Sequence, residues 1–196
     1  GSLKPDAMQI IHRCEKRIQN LQDLIEHWLD ISRIENGTFS EAKVTLNLTE
    51  LIMRSLEEMN PLCQRREIFL ESRLKDNLPV IMGDQESLLR VFSNIIGNAT
   101  KYTPPGGTIT VCSDCDDYYV YVSVSDSGQG IPQDKLPFIF EPFFRVHGKQ
   151  ERQKGSGLGL TFSKKIMDAH NATIEAASKE GEGTTFTMKF PRVYDL

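Results

Sequence analysis

The spacing of apolar residues predicts a long helix at the start of the chain. Pro5-Asp6 opens the pattern, and Ile11, Cys14, Ile18, Leu21, Ile25 and Trp28 follow at intervals of three and four, the seam of a coiled coil or bundle. Leu24, Leu29, Ile31 and Ile34 widen the stripe, which favours a bundle over a two-stranded seam. Asn36-Gly37 supplies a helix stop. Such a helix would span roughly 45 Å, too long to lie unsupported on a small domain.

Beyond Gly37 the period changes. Residues 44–48 read as a first strand, and Thr49 is placed to cap a helix through Leu51, Ile52, Leu56 and Met59 towards Pro61. Strands are expected at 68–72 and 80–82. Leu88, Leu89, Phe92, Ile95, Ile96 and Ala99 mark a helix over 84–101, and Leu158, Leu160, Phe162, Ile166 and Met167 mark a later one. Segments 108–112, 119–124, 172–177 and 184–190 supply further strands. Strands grouped late with helices between them predict the α+β class, a two-layer α/β sandwich whose mixed sheet carries helices on one face. The chain therefore divides into an N-terminal helix, 1–37, and an α/β domain, 38–196.

Three polar blocks interrupt this framework. Asn94 and Asn98 stand four apart on the helix of 84–101, one above the other, and Lys101 and Tyr102 follow one turn on. Stacked amide oxygens suit a magnesium ion that bridges phosphates, a lysine suits phosphate charge, and a tyrosine ring suits a purine. The same face, taken alone, is an ordinary solvated helix side. Asp126-Ser-Gly128-Gln-Gly130-Ile131 follows a strand; an ionised carboxylate there can accept from an adenine amino group, and the glycines permit a tight turn or close backbone approach. A plain Asp-Ser-Gly turn has the same spelling. Lys154-Gly155-Ser156-Gly157-Leu158-Gly159 opens the last helix, where backbone N–H groups can cradle phosphate. Its spacing is neither that of a Walker loop nor that of the dinucleotide fingerprint.

In this order the blocks resemble the N, G1 and G2 boxes of the catalytic ATP-binding domain of sensor histidine kinases, part of the GHKL group with gyrase, MutL and heat-shock chaperones. Phe140-Glu-Pro-Phe-Phe144-Arg145 resembles the F box, and Gly181-Glu-Gly183-Thr-Thr185-Phe186 the glycine turn entering the last strand. The resemblance covers the chain from around Phe39 to Phe190. It implies ATP and Mg2+ as ligands, with Asn98 on magnesium and Asn94 supporting it directly or through water. Lys101 would contact phosphate, Asp126 would bind the adenine amino group, and Gly128 and Gly130 would let the backbone close on adenine. Gly155, Gly157 and Gly159 would anchor a lid over the phosphates, and Tyr102, Ile131, Phe144, Arg145, Lys154, Ser156, Leu158 and Thr185 would complete the nucleotide site. Residues 142–154, without periodicity and rich in Arg, Lys, Gln and Gly, are expected to form that lid. Of its candidate cations Arg145, Arg152 and Lys154, the last two read equally well as solvated loop residues. Gly97, Thr100 and Asn171-Ala172, where relatives often carry Gly-Gly, depart mildly from the family pattern.

The N-terminal stripe, closing in Leu29-Asp-Ile-Ser-Arg33-Ile-Glu35-Asn-Gly37, resembles the second helix of the family's dimerisation and phosphotransfer hairpin. The acceptor-histidine box of the first helix has no counterpart, and Gly1-Ser2 reads as a cloning remnant. The chain is thus expected to start between the two hairpin helices and not to autophosphorylate alone. His12 lacks the neighbours of an acceptor, His27 is expected at the seam or its rim, and His147 lies in the lid segment. His170 ends the last helix, where a positive charge would face the dipole favourably. The implied activity is that of a protein-histidine kinase, moving the ATP γ-phosphoryl group to a hairpin histidine for relay to an Asp of a response-regulator receiver domain. The implied assembly is a homodimer through the N-terminal helix. Two alternatives stay open, a GHKL ATPase and a catalytically quiet nucleotide-binding or partner-interaction module. Against the first, the helix carries Arg90 near Asn94 rather than a general-base Glu, and Glu86 lies two turns before Asn94.

Charge and cysteines change the picture little. A formal net charge of −4 carries no nucleic-acid footprint. No apolar run is long enough for a bilayer, so a cytoplasmic location is expected, with any membrane anchor in segments upstream of the chain. Cys112-Ser-Asp-Cys115 has the spacing of half a zinc knuckle but no second pair follows, and reduced thiols at a strand-to-turn junction are the expected state.

Overall fold

Alternating segments pair into sheets in the computed structural model, which describes residues 43–146 and 157–193, together with Ile10, Ile11, Cys14, Ile18, Leu21, Ile25, Leu29 and Ser32. Along the chain follow β1 (Val44–Leu46), α1 (Leu48–Arg65), β2 (Phe69–Arg73), β3 (Ile81–Gly83), α2 (Gln85–Tyr102), β4 (Thr108–Cys115) and β5 (Tyr119–Asp126). After a 3-10 turn at Leu136–Phe138 come α3 (Gly159–Ala169), β6 (Thr173–Lys179) and β7 (Gly183–Pro191). Five strands form one sheet in the order β2-β4-β5-β7-β6, and β1 pairs with β3 separately. β2 runs parallel to β4 while the other neighbours are antiparallel. A parallel pair needs a long crossover, and β3 with α2 provides it, which lays α2 on the sheet.

One sheet face is apolar and the helices cover it. Ile109 and Val111 of β4, Val120, Val122 and Val124 of β5, Ile174 of β6, and Phe186, Met188 and Phe190 of β7 are buried. The register places Val111 opposite Val124, and Val124 opposite Phe186. Against them α2 sets Leu88, Val91, Phe92, Ile95, Ile96 and Ala99, with the Phe92 ring 6.4 Å from that of Phe190. Burying each large side chain is worth about 1.5–3 kcal/mol. That exceeds the helix-propensity differences of well under ~1 kcal/mol that disfavour Val, Ile and Gly, so packing, not propensity, holds α2. Gly97 marks what propensity still leaves unspent, because a Cβ there would meet only Met59 Cε, at 3.8 Å. Gly97→Ala is therefore expected to raise stability by about 0.5–1 kcal/mol, read as a higher urea midpoint with an unchanged slope.

The two-layer sandwich agrees with expectation, but several boundaries differ: the strand expected over 44–48 stops at Leu46, and those at 108–112 and 119–124 run on to Cys115 and Asp126. Asn47, not Thr49, caps α1, its side chain accepting the Thr49 N–H at 3.0 Å. Leu48 is fully buried and is drawn into the first turn. Pro61 does not end α1, which runs on to Arg65. The extra turn carries the fully buried Cys63, whose Sγ lies 3.4 Å from Thr100 Oγ1 on α2. Cys112 and Cys115 both lie within β4, three residues apart and so on opposite faces, which corrects their placement at a strand-to-turn junction.

His170 also departs from its expected role. It is buried at the C-terminal cap of α3, with Nε2 accepting the Asp84 N–H at 2.9 Å and Nδ1 2.7 Å from Ile166 O. One nitrogen accepts and the other can donate, which is the neutral ring. The positive charge facing that helix end belongs instead to Lys43, whose Nζ donates to Ala169 O at 2.6 Å. Burial pushes the His170 pKa below its usual 6.5. The unfolded chain thus binds the proton more readily, so the contribution is fully present above pH 6.5 and is lost as pH falls from there through the folded-state pKa. Thermal melts between pH 7.5 and 5.5 should show His170→Gln flattening this acid slope relative to the parent, within roughly 1–3 kcal/mol of overall destabilisation.

In the N-terminal segment the described positions are helical, and Ile10, Ile11, Ile18, Leu21, Ile25 and Leu29 are 41–60% exposed. Trp28, Leu24, Ile31, Ile34, His12, His27 and the Gly37 stop lie outside the described residues. No described helix is long and apolar enough to cross a membrane.

Candidate functional site

α2 is the element on which the separate blocks meet. Asp84 caps its start through the Ser87 N–H, 2.8 Å away. At its other end, Arg66 Nη1 donates to Thr100 O at 2.5 Å and offsets the negative end of the dipole. Between them Asn94 and Asn98 are half-buried on one face. The Asn94 carboxamide lies against α3, with Nδ2 donating to Ser163 Oγ at 2.8 Å. A Cβ at Gly159 would fall 2.3 Å from Asn94 Oδ1, so a side chain at the start of α3 would displace this carboxamide. Lys101 Nζ bonds the Tyr102 hydroxyl at 3.0 Å and sits 4.7 Å from its ring centroid, which occupies one face of the ring.

β5 ends at Asp126, whose side chain shares the helix-facing side of the sheet with Val122 and Val124. Asp126 is half-buried, and its Oδ1 accepts the Gly128 N–H at 2.8 Å. Burial raises its pKa above 3.8, against the lowering effect of backbone N–H groups at Gly128 and Thr184. A Cβ at Gly128 would meet Tyr102 O at 2.7 Å, so the loop after β5 abuts the end of α2. Gly130, at φ +68, faces Lys179 O, where a Cβ would stand at 2.1 Å. Ile131 N–H donates to Ser178 Oγ at 2.8 Å. These contacts seat the loop on the β6–β7 turn.

Thr185 is not gathered with Asp126. Pleating puts it on the opposite sheet face, where its hydroxyl pairs with Ser125 Oγ at 2.9 Å. Thr184 is the residue that shares the Asp126 face; it is buried and is the cross-strand partner of Asp126. The alternation counted back from Phe190, Met188 and Phe186 carries this information in the sequence. Ser163 was likewise missed, though a serine among Phe162, Ile166 and Met167 on an apolar helix face is such a signal.

The segment between the F and G2 boxes begins and ends at one point. Phe143 N–H donates to Gly157 O at 3.0 Å, with Phe143 at φ 63 and Gly157 at φ 73. The Phe144 ring lies 5.8 Å from Phe138, and Phe140 packs edge-on to Phe186 at 6.5 Å, fastening this end to the sheet. A cleft of about 430 Å³ opens here, lined by Pro132, Lys135, Phe143, Phe144, Arg145 and Val146. Leu158 is buried at the start of α3. His147, Arg152, Lys154, Gly155 and Ser156 lie outside the described residues.

Here α2 carries the carboxamides of Asn94 and Asn98 and the ammonium group of Lys101. Among the described residues no group of three His, Cys, Asp or Glu side chains is arranged to hold a metal ion. Asn94 and Asn98 instead offer amide oxygens beside Lys101, the ligand type of a magnesium ion that keeps its waters and phosphates.

The chain is similar to known proteins in sequence and in fold. Residues 83–194 match the family described as "Histidine kinase-, DNA gyrase B-, and HSP90-like ATPase". The chain is 33% identical over 88% of its length to the autoinducer 2 sensor kinase/phosphatase LuxQ of Vibrio parahaemolyticus, of which it covers 21%. It is 31% identical over 97% of its length to the sensor histidine kinase RppB of Synechocystis, of which it covers 42%. The chain thus spans under half the length of these relatives. Among solved structures it resembles the mycobacterial sensor histidine kinase MprB, with a TM-score of 0.66 and 29% identity, over 76% of this chain and 97% of that one. It also resembles the catalytic domain of the histidine kinase ThkA, with a TM-score of 0.68 and 28% identity over the same shares. With the Asn, Asp and glycine blocks folded against one helix, the chain belongs to the histidine kinase-, gyrase B- and HSP90-like ATPase family and carries its ATP-binding domain.

Proposed function

We propose that this chain binds ATP with magnesium and, within a longer protein, transfers the γ-phosphoryl group to a histidine of a dimerisation hairpin. The observation that supports it most is the convergence on α2, where Gly128 abuts Tyr102 and Gly159 abuts Asn94 although these blocks are far apart in sequence. Asp126, held from one side by Gly128, would accept the adenine amino group. Asn98 with Asn94 would hold magnesium, which when bound offsets negative charge on the phosphates. Lys101 would release Tyr102 to meet a phosphate oxygen. Residues 142–154, joined at the base by Phe143 and Gly157, would close over the nucleotide and exclude water.

In this reading residues 1–37 are the second hairpin helix and 38–196 the catalytic domain. The exposed stripe Ile11, Ile18, Leu21 and Ile25 would be covered in a homodimer, and the phosphoryl group would pass on to a receiver-domain Asp. The protein would work in the cytoplasm. Calorimetric titration of ATP with and without magnesium tests the reading. Magnesium-dependent binding by the parent that Asn98→Ala removes is the expected result, whereas a folded parent that binds no ATP would overturn it.

A further inference from the structure

The geometry points to Ser163 as a positioning residue, whose hydroxyl sets the orientation of the Asn94 carboxamide and through it the magnesium-dependent part of nucleotide binding. This rests on the reading of Asn94 as a magnesium-site residue given above. A carboxamide has two ends of opposite polarity, and a half-turn about its last bond exchanges an acceptor for a donor. Two contacts on α3 hold the carboxamide in place here. Ser163, 2% exposed and one turn beyond Gly159, accepts from Asn94 Nδ2 at 2.8 Å. Gly159 forms the floor, since the position of a Cβ there lies 2.3 Å from Oδ1, 3.0 Å from Cγ and 3.1 Å from Nδ2. With Nδ2 donating to Ser163, Oδ1, the carboxamide atom nearest Gly159, keeps its lone pairs for a cation.

The arrangement also links two parts of the site through one hydrogen bond. α3 begins two residues after Gly157, which is bonded to Phe143 at the foot of the segment between the boxes. A shift of α3 against α2 would therefore be felt at Asn94. Loss of the Ser163 hydroxyl would leave the carboxamide free to turn, so that part of the population presents N–H groups to the cation. Partner groups that orient a ligand commonly cost about 10–100-fold in metal affinity when removed. A neutral hydroxyl partner falls below that range, at roughly 5- to 10-fold.

The test compares Ser163→Ala, Ser163→Thr and Ser163→Val, the last two alike in shape and different in the hydroxyl. ATP affinity is measured with and without magnesium, beside the thermal midpoint of the nucleotide-free protein. Ala and Val should reduce the magnesium-dependent gain in affinity by about 5- to 10-fold, Thr should keep it, and metal-free affinity should change little in all three. Equal losses with and without magnesium, tracking the thermal midpoint, would show a merely structural bond and overturn the inference. A gain unaltered in Ser163→Ala, in a parent whose gain Asn98→Ala removes, overturns this inference alone. No magnesium-dependent gain in the parent overturns the magnesium-site reading and this inference together. Should Ala fail to fold, the Thr and Val pair gives the same decision.

Discussion

Gly183→Ala is expected to lower the stability of the domain by about 2–5 kcal/mol, the sum of an overpacked contact and a left-handed backbone. At this position φ is +115, and a Cβ would stand 1.9 Å from Asp126 O and 2.9 Å from its carbonyl carbon. Both atoms are backbone of the central strand, so neither can turn aside as a flexible side chain could. The strand would have to leave β7, just where the pairing of Asp126 with Thr184 aligns the candidate adenine contact. Domains of this kind are stable by only about 5–15 kcal/mol, so the loss is a large share of the total. Gly181→Ala is the control, with a similar φ of +82 and nothing within 4 Å of the added Cβ. It should cost only the left-handed penalty of about 1–2 kcal/mol. Urea unfolding of the two variants separates the contact from the conformation, and equal midpoints would refute the close-approach account.

Asp126→Ala should weaken ATP binding by about 10- to 100-fold, the scale of a hydrogen bond to a charged, half-buried acceptor. The fold should tolerate it, because burial already works against the ionised carboxylate. Asp126→Asn removes that charge while keeping the shape, and the nucleotide-free variant is expected to melt no lower than the parent at neutral pH. A substitution that spares or raises stability while removing affinity marks a group held for a ligand. Since burial raises the Asp126 pKa, ATP affinity of the parent should also decline on acidification at a higher pH than an ordinary carboxylate of 3.8 would give. Calorimetry across that range checks it, and an affinity unchanged in Asp126→Ala would remove Asp126 from the adenine contact.

Much of the fold could be read along the chain because apolar spacing is a local signal. The period of 84–101 placed α2 within a residue of its ends, and alternation placed β5 and β7. The boundaries that failed were those where a distant contact overrode a local sign. Pro61 would normally close a helix, yet burial of Cys63 against Thr100 carries α1 one turn further. His170 carried the local mark of a positive helix end, but the Asp84 amide, distant in sequence, takes its Nε2 and keeps the ring neutral. Thr185 was implied by the family resemblance, whereas the pleat assigns the Asp126 face to Thr184.

Residue identity and spacing alone were sufficient for the succession of helices and strands beyond residue 43, though not all their ends, the mixed two-layer class and the presence of Asn, Asp and glycine blocks in a family order. Each of these depends on neighbours a few positions apart. Only the folded chain decided which glycines exist for close approach, which nitrogen of His170 accepts, and that Ser163 holds Asn94. Those outcomes depend on atoms from α2 and α3, or β5 and β7, coming within about 3 Å, a contact scale at which a single methyl group or hydroxyl decides the sign of the interaction. No periodicity along one strand of sequence records that distance.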